Sequence, residues 1–225
     1  GLDKTPLQGD GSVANLVSGY GLVRLIWGPH GSPGRTTLSV TVAALLSIAG
    51  LRVVVVDADW RGGAVGPSLG LVDEVPGILA AARRARQGTL DTAELERLLE
   101  SYQVGRSQFR ILTGAHRPVE RGELTRDDLD QIVSTLRTLC DVILIDSCAE
   151  LPVSGVAGEG QHWAAELTAH LAYRADEITA VCQASPLGVS RFARALGGLR
   201  ESAGTTPHRV WLNGVSRDRR ALRDE

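Results

Sequence analysis

The stretch that decides the fold is Ile26-Trp27-Gly28-Pro29-His30-Gly31-Ser32-Pro33-Gly34-Arg35-Thr36-Thr37. An apolar run precedes it and a helical pattern follows it, so it reads as a glycine-rich turn between a strand and a helix. Such a turn aims several main-chain N–H groups and the positive end of the helix dipole at one point, where phosphate oxygens can bind. The stretch therefore predicts an anion-binding loop.

The loop meets the general phosphate-loop pattern G-x-x-x-x-G-K-[ST] only in part. Pro29 stands where the first glycine belongs, and Arg35 stands where the lysine belongs. Taken alone, the segment is also compatible with a glycine- and proline-rich turn that binds no ligand. The residues that follow it decide between these two readings.

A helix and a second strand follow the loop. Apolar residues recur at helical spacing up to Gly50, and the β-branched run 51–56 comes next. That strand ends in Asp57-Ala58-Asp59, which sets two carboxylates at its carboxyl end, the edge where open α/β sheets bind ligands. Alternation along an extended chain points Asp57 and Asp59 to the same side.

At this point the chain resembles the MinD/ParA superfamily of deviant-Walker P-loop ATPases, and within it the CpaE-like and actinobacterial MinD-like proteins. In that family a loop K-G-G-x-G-K-T-T is followed by a helix and by a strand ending in D-x-D, and residues 30–37 and 57–59 occupy those places. Later stretches resemble the Walker B strand (142–146), the "A-D-x-V … P" strand (175–186) and the strand that ends in an adenine-reading Asn (210–213). The order and spacing of these landmarks over residues 22–214 carry the resemblance.

The resemblance implies a doubly wound, mostly parallel α/β sheet flanked by helices, with a site for ATP or ADP and Mg²⁺. The nucleotide-binding residues it implies are Gly31, Ser32, Pro33, Gly34, Arg35, Thr36, Thr37 and Asn213. The metal-binding residues it implies are Thr36, Asp57 and Asp146, and the catalytic ones are Asp59, Asp57 and Arg35. In these roles Asp59 positions the attacking water, and Asp146 holds Mg²⁺ through water. Each residue taken singly also has a plain structural reading, for example a strand-end cap for Asp57.

The departures from the family pattern bear on activity. The family's signature Lys, which reaches across a dimer to the partner's phosphates, falls on His30, and the loop Lys falls on Arg35. Lys acts on phosphate as a compact point charge, whereas Arg is a larger planar fork. Pro29 and Pro33 each remove a main-chain N–H donor from the cradle. We therefore expect nucleotide affinity with slow or absent hydrolysis.

The composition of the chain offers another explanation for arginine at position 35. The chain has 24 Lys plus Arg, and Lys4 is its only lysine. Arginine for lysine is thus a habit of the whole chain, which predicts a bacterial, high-GC source such as an actinobacterium. This bias explains surface arginines. It explains Arg35 less well, because selection should retain a phosphate-binding lysine if ATP turnover depends on it.

Length and apolar content predict the domain organisation. A chain of 225 residues with 43% hydrophobic content can form one α/β domain with a sizeable core. Residues 1–19, rich in Gly, Asp and Ser, read as a flexible leader or linker. Residues 20–225 are then the P-loop domain. The family usually continues past the Asn strand with another strand and helix, which we expect this domain to lack.

Charge and cysteine usage exclude some classes of function. A net charge of -2 argues against a basic nucleic-acid-binding surface as the main function. Two arginine-rich stretches, 83–86 and 217–223, leave DNA binding open, although a solvated helix face explains them better. The three cysteines have no metal-ligand spacing and suit a reducing cytosol, with Cys140 and Cys182 as buried apolar residues. No signal peptide or membrane span is evident, so we expect a cytoplasmic protein.

Three functions remain open at this point. The first is a nucleotide-dependent switch that dimerises in its ATP state and acts through an unidentified protein partner in positioning or in secretion and pilus assembly. The second is a scaffold or regulatory binding module of the same fold that does not hydrolyse ATP. The third is a ParA-like DNA-partitioning ATPase.

Overall fold

A computed structural model describes residues 20–31, 33–71, 76–152 and 162–215. The strands are β1 (Leu22–Trp27), β2 (Val53–Ala58), β3 (Glu100–Val104), β4 (Ser107–Leu112), β5 (Val142–Ser147), β6 (Glu177–Gln183) and β7 (His208–Asn213). The helices are α1 (Arg35–Ile48), α2 (Val65–Ser68), α3 (Gly77–Arg86), α4 (Thr92–Arg97), α5 (Arg126–Leu139), α6 (His162–Arg174) and α7 (Pro186–Ala203). The predicted leader, residues 1–19, lies outside the described residues.

The seven strands form one sheet in the order β3-β4-β2-β5-β1-β6-β7. All neighbouring strands pair in parallel except β3 and β4, which form an antiparallel pair at one edge. The predicted doubly wound, mostly parallel α/β sheet is thus confirmed. Because β1, β2 and β5 are adjacent and parallel, their carboxyl ends meet at one edge of the sheet.

Helices cover both faces of the sheet. On one face, α1 packs on aliphatic residues of β2 and β5 such as Val53, Val55 and Leu144. On the other face, residues of α3, α5, α6 and α7 form the larger core cluster with Trp27, Ile143 and their neighbours. The central strands β2 and β5 are buried along their whole length, as strands covered on both faces must be.

Side chains cap the starts of α4, α5 and α7, whereas α1, α2 and α3 begin without a side-chain cap. Asp91, Thr125 and Ser185 cap α4, α5 and α7 by accepting a main-chain N–H of the first turn. Helix α1 begins instead after Gly34, at a φ of 96°, with no side-chain cap and no acidic residue in its first turn. Its first N–H groups therefore remain available to an outside acceptor.

The structure differs from the sequence-based expectations in the length of α4 and in the presence of β3. The apolar pattern over 90–99 predicts a longer helix than the observed α4, because Asp91 caps it at one end and the chain enters β3 at Glu100. The strand β3 itself was not predicted. Thr125, followed by Asp127 and Asp128, is a sequence signal for a helix start, and the structure confirms it, since Thr125 and Asp128 form a reciprocal capping box. Cys140 and Cys182 are buried, as predicted.

Candidate nucleotide and magnesium site

The loop from Gly28 to Gly34 joins β1 to α1 at the carboxyl edge of the sheet. Gly31 and Gly34 have φ angles of 106° and 96°, in the left-handed region that favours glycine. The main chain of the loop thus turns sharply just before the uncapped start of α1. Of the predicted nucleotide-binding residues, Ser32 lies outside the described residues.

Arg35, the first residue of α1, folds back onto its own loop. Its Nη1 donates to the carbonyl oxygen of Gly28 at 2.5 Å, and its Nη2 lies 3.4 Å from Asp59 Oδ2. The Arg35 side chain is 15% exposed and the Asp59 side chain 21%, so this ion pair is partly shielded from water. The guanidinium that takes the place of the loop lysine is therefore held by protein acceptors.

Thr36 and Asp146, two of the predicted metal-binding residues, form a hydrogen bond. The Thr36 hydroxyl donates to Asp146 Oδ2 at 2.6 Å, and the Ser39 hydroxyl donates to Asp146 Oδ1 at 3.1 Å. Burial raises the pKa of Asp146 to about 6, against the lowering effects of the Thr36 hydrogen bond and the charge of Arg35. The sequence analysis missed Ser39, although its i, i+3 spacing from Thr36 places both hydroxyls on one face of α1.

Asp57 lies beside Asp146, since the two residues pair in register between β2 and β5. Its Oδ2 accepts the Val65 N–H at 2.9 Å and its Oδ1 accepts the Asp59 N–H at 3.3 Å. Burial first, and then the neighbouring Asp146 charge, raises the pKa of Asp57 to about 7. Two carboxyl groups, each only 1% exposed, thus share one buried edge.

Two glycines make room for the Asp57 carboxyl group. A side-chain carbon on Gly114 would lie 2.6 Å from Asp57 Cγ, and one on Gly63 would lie 2.7 Å from Asp57 Oδ2. Because the carboxyl group is buried and held by main-chain donors, it cannot move aside cheaply. Sequence reasoning gave no signal for these two contacts, which depend on how the loops after β2 and β4 pack.

The donor set suits Mg²⁺ in the company of a phosphate ligand. Mg²⁺ prefers oxygen ligands, keeps several waters and is commonly held by one or two carboxylates together with phosphate oxygens. Asp146, Asp57 and the Thr36 hydroxyl supply oxygens of this kind, and burial raises the pKa of both carboxyl groups, so a nearby cation would favour their ionised forms. Among the described residues, no group of three or more His, Cys, Asp or Glu side chains could hold a metal by itself.

Asn213 and Thr37 lie around the loop. At the end of β7, Asn213 donates from Nδ2 to the Pro33 carbonyl oxygen at 2.9 Å, and the same Nδ2 occupies the space where a side chain on Gly34 would stand. Asn213 therefore supports the loop directly from the neighbouring edge of the sheet. Thr37 is exposed on the first turn of α1.

A cavity of about 470 Å³ adjoins the loop on the side of α7. Trp27, Pro29 and His30 line it from the loop side, Glu150 from the segment after β5, and Arg194 from α7. His30, which holds the place of the family's signature lysine, is exposed at this cavity.

Two of the three arginines of α3, Arg84 and Arg86, form ion pairs within the chain. Arg84 Nε lies 2.8 Å from Glu94 Oε1, and Arg86 Nε lies 3.6 Å from Asp128 Oδ2. These pairs fit the interpretation of a solvated, salt-bridged helix face better than a free DNA-binding patch. The second arginine-rich stretch, 217–223, lies outside the described residues.

Comparison with known proteins agrees with this geometry. No family model matches the chain. The protein named "Putative tyrosine-protein kinase EpsB", from Ralstonia nicotianae, is 31% identical over 202 residues. That alignment covers 88% of this chain, but the chain spans only 23% of the length of EpsB.

Three solved structures share the fold. The kinase domain of Escherichia coli tyrosine kinase ETK superposes with a TM-score of 0.67 at 18% identity, covering 91% of this chain and 71% of that one. A ParA family ATPase from Chlorobium tepidum gives 0.65 at 15% identity, with 85% and 73% covered. MinD from Pyrococcus horikoshii, complexed with Mg-ADP, gives 0.57 at 19% identity, with 83% and 68% covered.

The sheet order and the glycine-rich loop between β1 and α1 place the chain among the P-loop NTPase folds. More particularly, it has the fold of the MinD/ParA-type ATPases, as the resemblance in sequence predicted. Within the described part of the chain, no helix is long and apolar enough to cross a membrane.

Proposed function

We propose that this protein binds ATP or ADP with Mg²⁺ at the loop between β1 and α1, and that it hydrolyses ATP slowly or not at all. The observation that carries the proposal is that the buried carboxyl groups of Asp146 and Asp57 lie together at the start of α1, where Thr36 donates to Asp146 and the helix has no side-chain cap. Phosphate oxygens suit the free N–H groups of that helix start. When bound, Mg²⁺ supplies positive charge to both the phosphates and the buried carboxylates.

Each residue has a distinct part in this proposal. Main-chain N–H groups of Gly31, Gly34, Arg35 and Thr36 cradle the phosphates, with Thr37 beside them at an inner phosphate. Thr36 and Asp146 hold Mg²⁺, supported by Asp57. Asn213 binds the edge of the adenine base. In this structure its side chain donates a hydrogen bond to the Pro33 carbonyl oxygen of the loop.

Slow hydrolysis follows from the pairing of Arg35 with Asp59. Asp59 is the carboxylate proposed to orient the attacking water, and Arg35 is the cation proposed to stabilise charge on the phosphates. Their contact at 3.4 Å, together with the hydrogen bond from Arg35 to Gly28, occupies both groups with each other and with the loop. The contact between Arg35 and Asp59 must break before Asp59 can orient water, and both contacts must break before Arg35 can turn to the phosphates.

Calorimetric titration of Mg-ATP and Mg-ADP tests binding. Thr36→Val removes the hydroxyl that donates to Asp146 and keeps the shape of the side chain, and Thr41→Val makes the same exchange at an exposed position of α1. We expect wild type and Thr41→Val to bind alike and Thr36→Val to bind roughly tenfold more weakly with Mg²⁺ than wild type. Absence of binding by the wild type, with or without Mg²⁺, would overturn the proposal and favour the scaffold role.

Phosphate release under saturating Mg-ATP tests the hydrolysis claim separately. We expect turnover close to background, with little further loss in Asp59→Ala. Turnover well above background that Asp59→Ala abolishes would contradict slow hydrolysis while leaving the nucleotide site intact.

The output is proposed to be a nucleotide-dependent dimer that acts through a protein partner in positioning or in secretion and pilus assembly. The resemblance in sequence is its support. Sedimentation with ADP and with a non-hydrolysable ATP analogue tests it, because a switch requires different dimer populations in the two states. Salt-sensitive, ATP-dependent binding to nonspecific DNA would instead favour the ParA-like alternative.

The comparison with EpsB favours a second candidate, phosphoryl transfer to protein tyrosine. A relative named as a tyrosine-protein kinase aligns with 88% of the chain. Tyr20 and Tyr173 are 54% and 66% exposed and could accept a phosphoryl group. Intact-mass and peptide mass spectrometry after incubation with Mg-ATP tests this candidate, and an unmodified protein together with unmodified added substrate peptides would count against it.

A further inference from the structure

Positive charge is scarce at the proposed phosphate site. Asp57, Asp59 and Asp146 lie at the carboxyl edge of the sheet, and Arg35 is the cation of α1 beside them. Arg35 is already engaged with Gly28 and Asp59. A polyanionic ligand would therefore gain from a further cation that approaches the loop from another direction.

Arg191 of α7 lies in that position. Its guanidinium packs directly on Gly31, where Nη1 fills the space of a side chain and Cζ would lie 3.1 Å from a side-chain carbon. Gly31 is also one of the two loop glycines with positive φ. The turn therefore favours glycine at this position, and the missing side chain leaves room for the close approach of Arg191.

The neighbouring residues fix the position of α7 beside the loop. Phe192 is buried and packs on Trp27, the last residue of β1, with ring centroids 6.4 Å apart. Ser185 caps the helix, and Pro186 occupies its first turn. These contacts place the main chain of α7 at Arg191 beside the loop, from where the Arg191 side chain reaches Gly31.

Arg191 has no structural partner within the part of the chain that the structure describes. It is exposed there, and neither a hydrogen bond nor an ion pair to another described residue engages its guanidinium. The next arginine of the helix differs, because Arg194 donates to Ser190 Oγ at 2.8 Å. The five donors of Arg191 are therefore available to an anion at the loop.

We propose that Arg191 binds the phosphate chain of the nucleotide at Gly31, supplying from within the same chain the cation that the resemblance places on the partner's signature lysine. This inference rests on the proposed nucleotide site and adds a residue to it. A guanidinium can make two parallel hydrogen bonds to phosphate oxygens. Its contribution should therefore grow with the number of phosphates.

The test is titration of AMP, ADP and ATP with Mg²⁺ into Arg191→Ala, Arg191→Lys and a control. Arg200→Ala is the matched control, because it removes an exposed arginine near the other end of the same helix. We expect Arg191→Ala to bind ATP roughly tenfold more weakly than wild type and AMP within about twofold. Arg191→Lys should recover part of the loss, and Arg200→Ala should match wild type.

The outcomes separate this inference from the proposed function. Wild-type binding of ATP with an unchanged Arg191→Ala variant overturns the role of Arg191 alone. Equal loss of AMP and ATP affinity also overturns it, because that result indicates a packing effect. Failure of the wild type to bind any nucleotide overturns both proposals. Melting temperatures within about 1 °C of wild type would confirm that the variants fold normally.

Discussion

The two halves of the candidate site are built on different principles. The carboxylate half consists of Asp57, Asp146, Thr36 and Ser39, and each carboxyl oxygen in it accepts a defined hydrogen bond. The loop half runs from Gly28 to Arg35, and two of its residues are prolines that donate nothing. The first half is buried and specified by neighbours on several elements. The second is set by main-chain turns.

The difference separates two demands of nucleotide chemistry. In the carboxylate half, two adjacent buried carboxylates are destabilising when both are ionised without a cation beside them. This half therefore favours a bound cation whatever side chains the loop carries. The loop half decides how many donors reach the phosphates and whether Arg35 is free. A chain can therefore keep its affinity for Mg-nucleotide while its turnover declines.

The largest expected effect comes from breaking the carboxylate half at Gly114. In Gly114→Ala the new carbon would meet the Asp57 carboxyl group at 2.6 Å. We expect a loss of about 2–3 kcal/mol in the free energy of unfolding, or roughly 5–10 °C in Tm, because that group is buried and held by two N–H donors. Thermal unfolding followed by circular dichroism measures it.

Gly197→Ala is the control for this substitution. Gly197 lies within α7, and a side-chain carbon there meets nothing within 4 Å. Alanine should stabilise the helix by about 0.5–1 kcal/mol. Equal Tm values for the two alanine variants would contradict the contact described at Asp57.

The pH dependence of stability gives the next effect. Asp57 and Asp146 have pKa values of about 7 and about 6 in the folded protein, against 3.8 as the ordinary value. The folded state therefore holds protons that the unfolded state has lost between about pH 4 and pH 7, so stability falls as pH rises through this window. We expect the ligand-free protein to gain about 4 kcal/mol between pH 8 and pH 5, at about 1.4 kcal/mol for each pH unit through which one of these groups is protonated in the folded state alone.

Other carboxylates act in a different range. Arg117 holds the pKa of Glu123 at about 2, so the stabilisation from that pair is lost only as the pH falls below about 4.5. Mg-ATP should flatten the slope between pH 5 and pH 8, because it binds the ionised carboxylates. A ligand-free protein whose Tm rises from pH 5 to pH 8 would contradict the buried pair.

Sequence reasoning could predict the arrangement of the carboxylates but not their hydrogen bonds. Asp57 and Asp146 each end a buried β-branched strand, and parallel strands bring such ends to one edge. The strand β3 escaped prediction because it is a short edge strand with little apolar alternation, and most of it is exposed. The contacts of Arg35 with Gly28 and of Arg191 with Gly31 depend on tertiary packing, and no local pattern encodes them.

Asp146→Asn sharpens the comparison by separating stability from binding. Both partners of Asp146 are hydroxyls, which can turn to accept from an amide, so the substitution removes charge without stranding a donor. We expect the ligand-free variant to be about 1 kcal/mol more stable than wild type at pH 8. The stabilisation that Mg-ATP gives to the wild type should disappear. Differential scanning calorimetry with and without Mg-ATP measures both effects.

Asp57→Asn is the matched control. Its two oxygens both accept main-chain N–H groups, so an amide NH₂ would face a donor. We expect no gain in stability from this variant. A gain equal to that of Asp146→Asn would mean that charge alone, and not hydrogen-bond geometry, governs this half of the site.

The smallest expected effect concerns the loop half and Pro33. The Pro33 carbonyl accepts from Asn213, and this hydrogen bond can survive replacement of the ring. Pro33→Ala would restore one N–H donor to the loop and would also make the loop more flexible. Because a hydrogen bond to a charged acceptor outweighs this loss of rigidity, we expect the variant to bind ATP roughly fivefold more tightly than wild type. Pro67→Ala, at an exposed proline of α2, controls for the general effect of removing a proline from the chain. Tighter binding of ATP by Pro33→Ala alone would locate the deficit in the donors of the loop. Unchanged or weaker binding would mean that the proline ring stabilises the loop by more than the missing N–H costs. The low number of N–H donors would then not explain slow turnover. The pairing of Arg35 with Asp59 would remain as its cause.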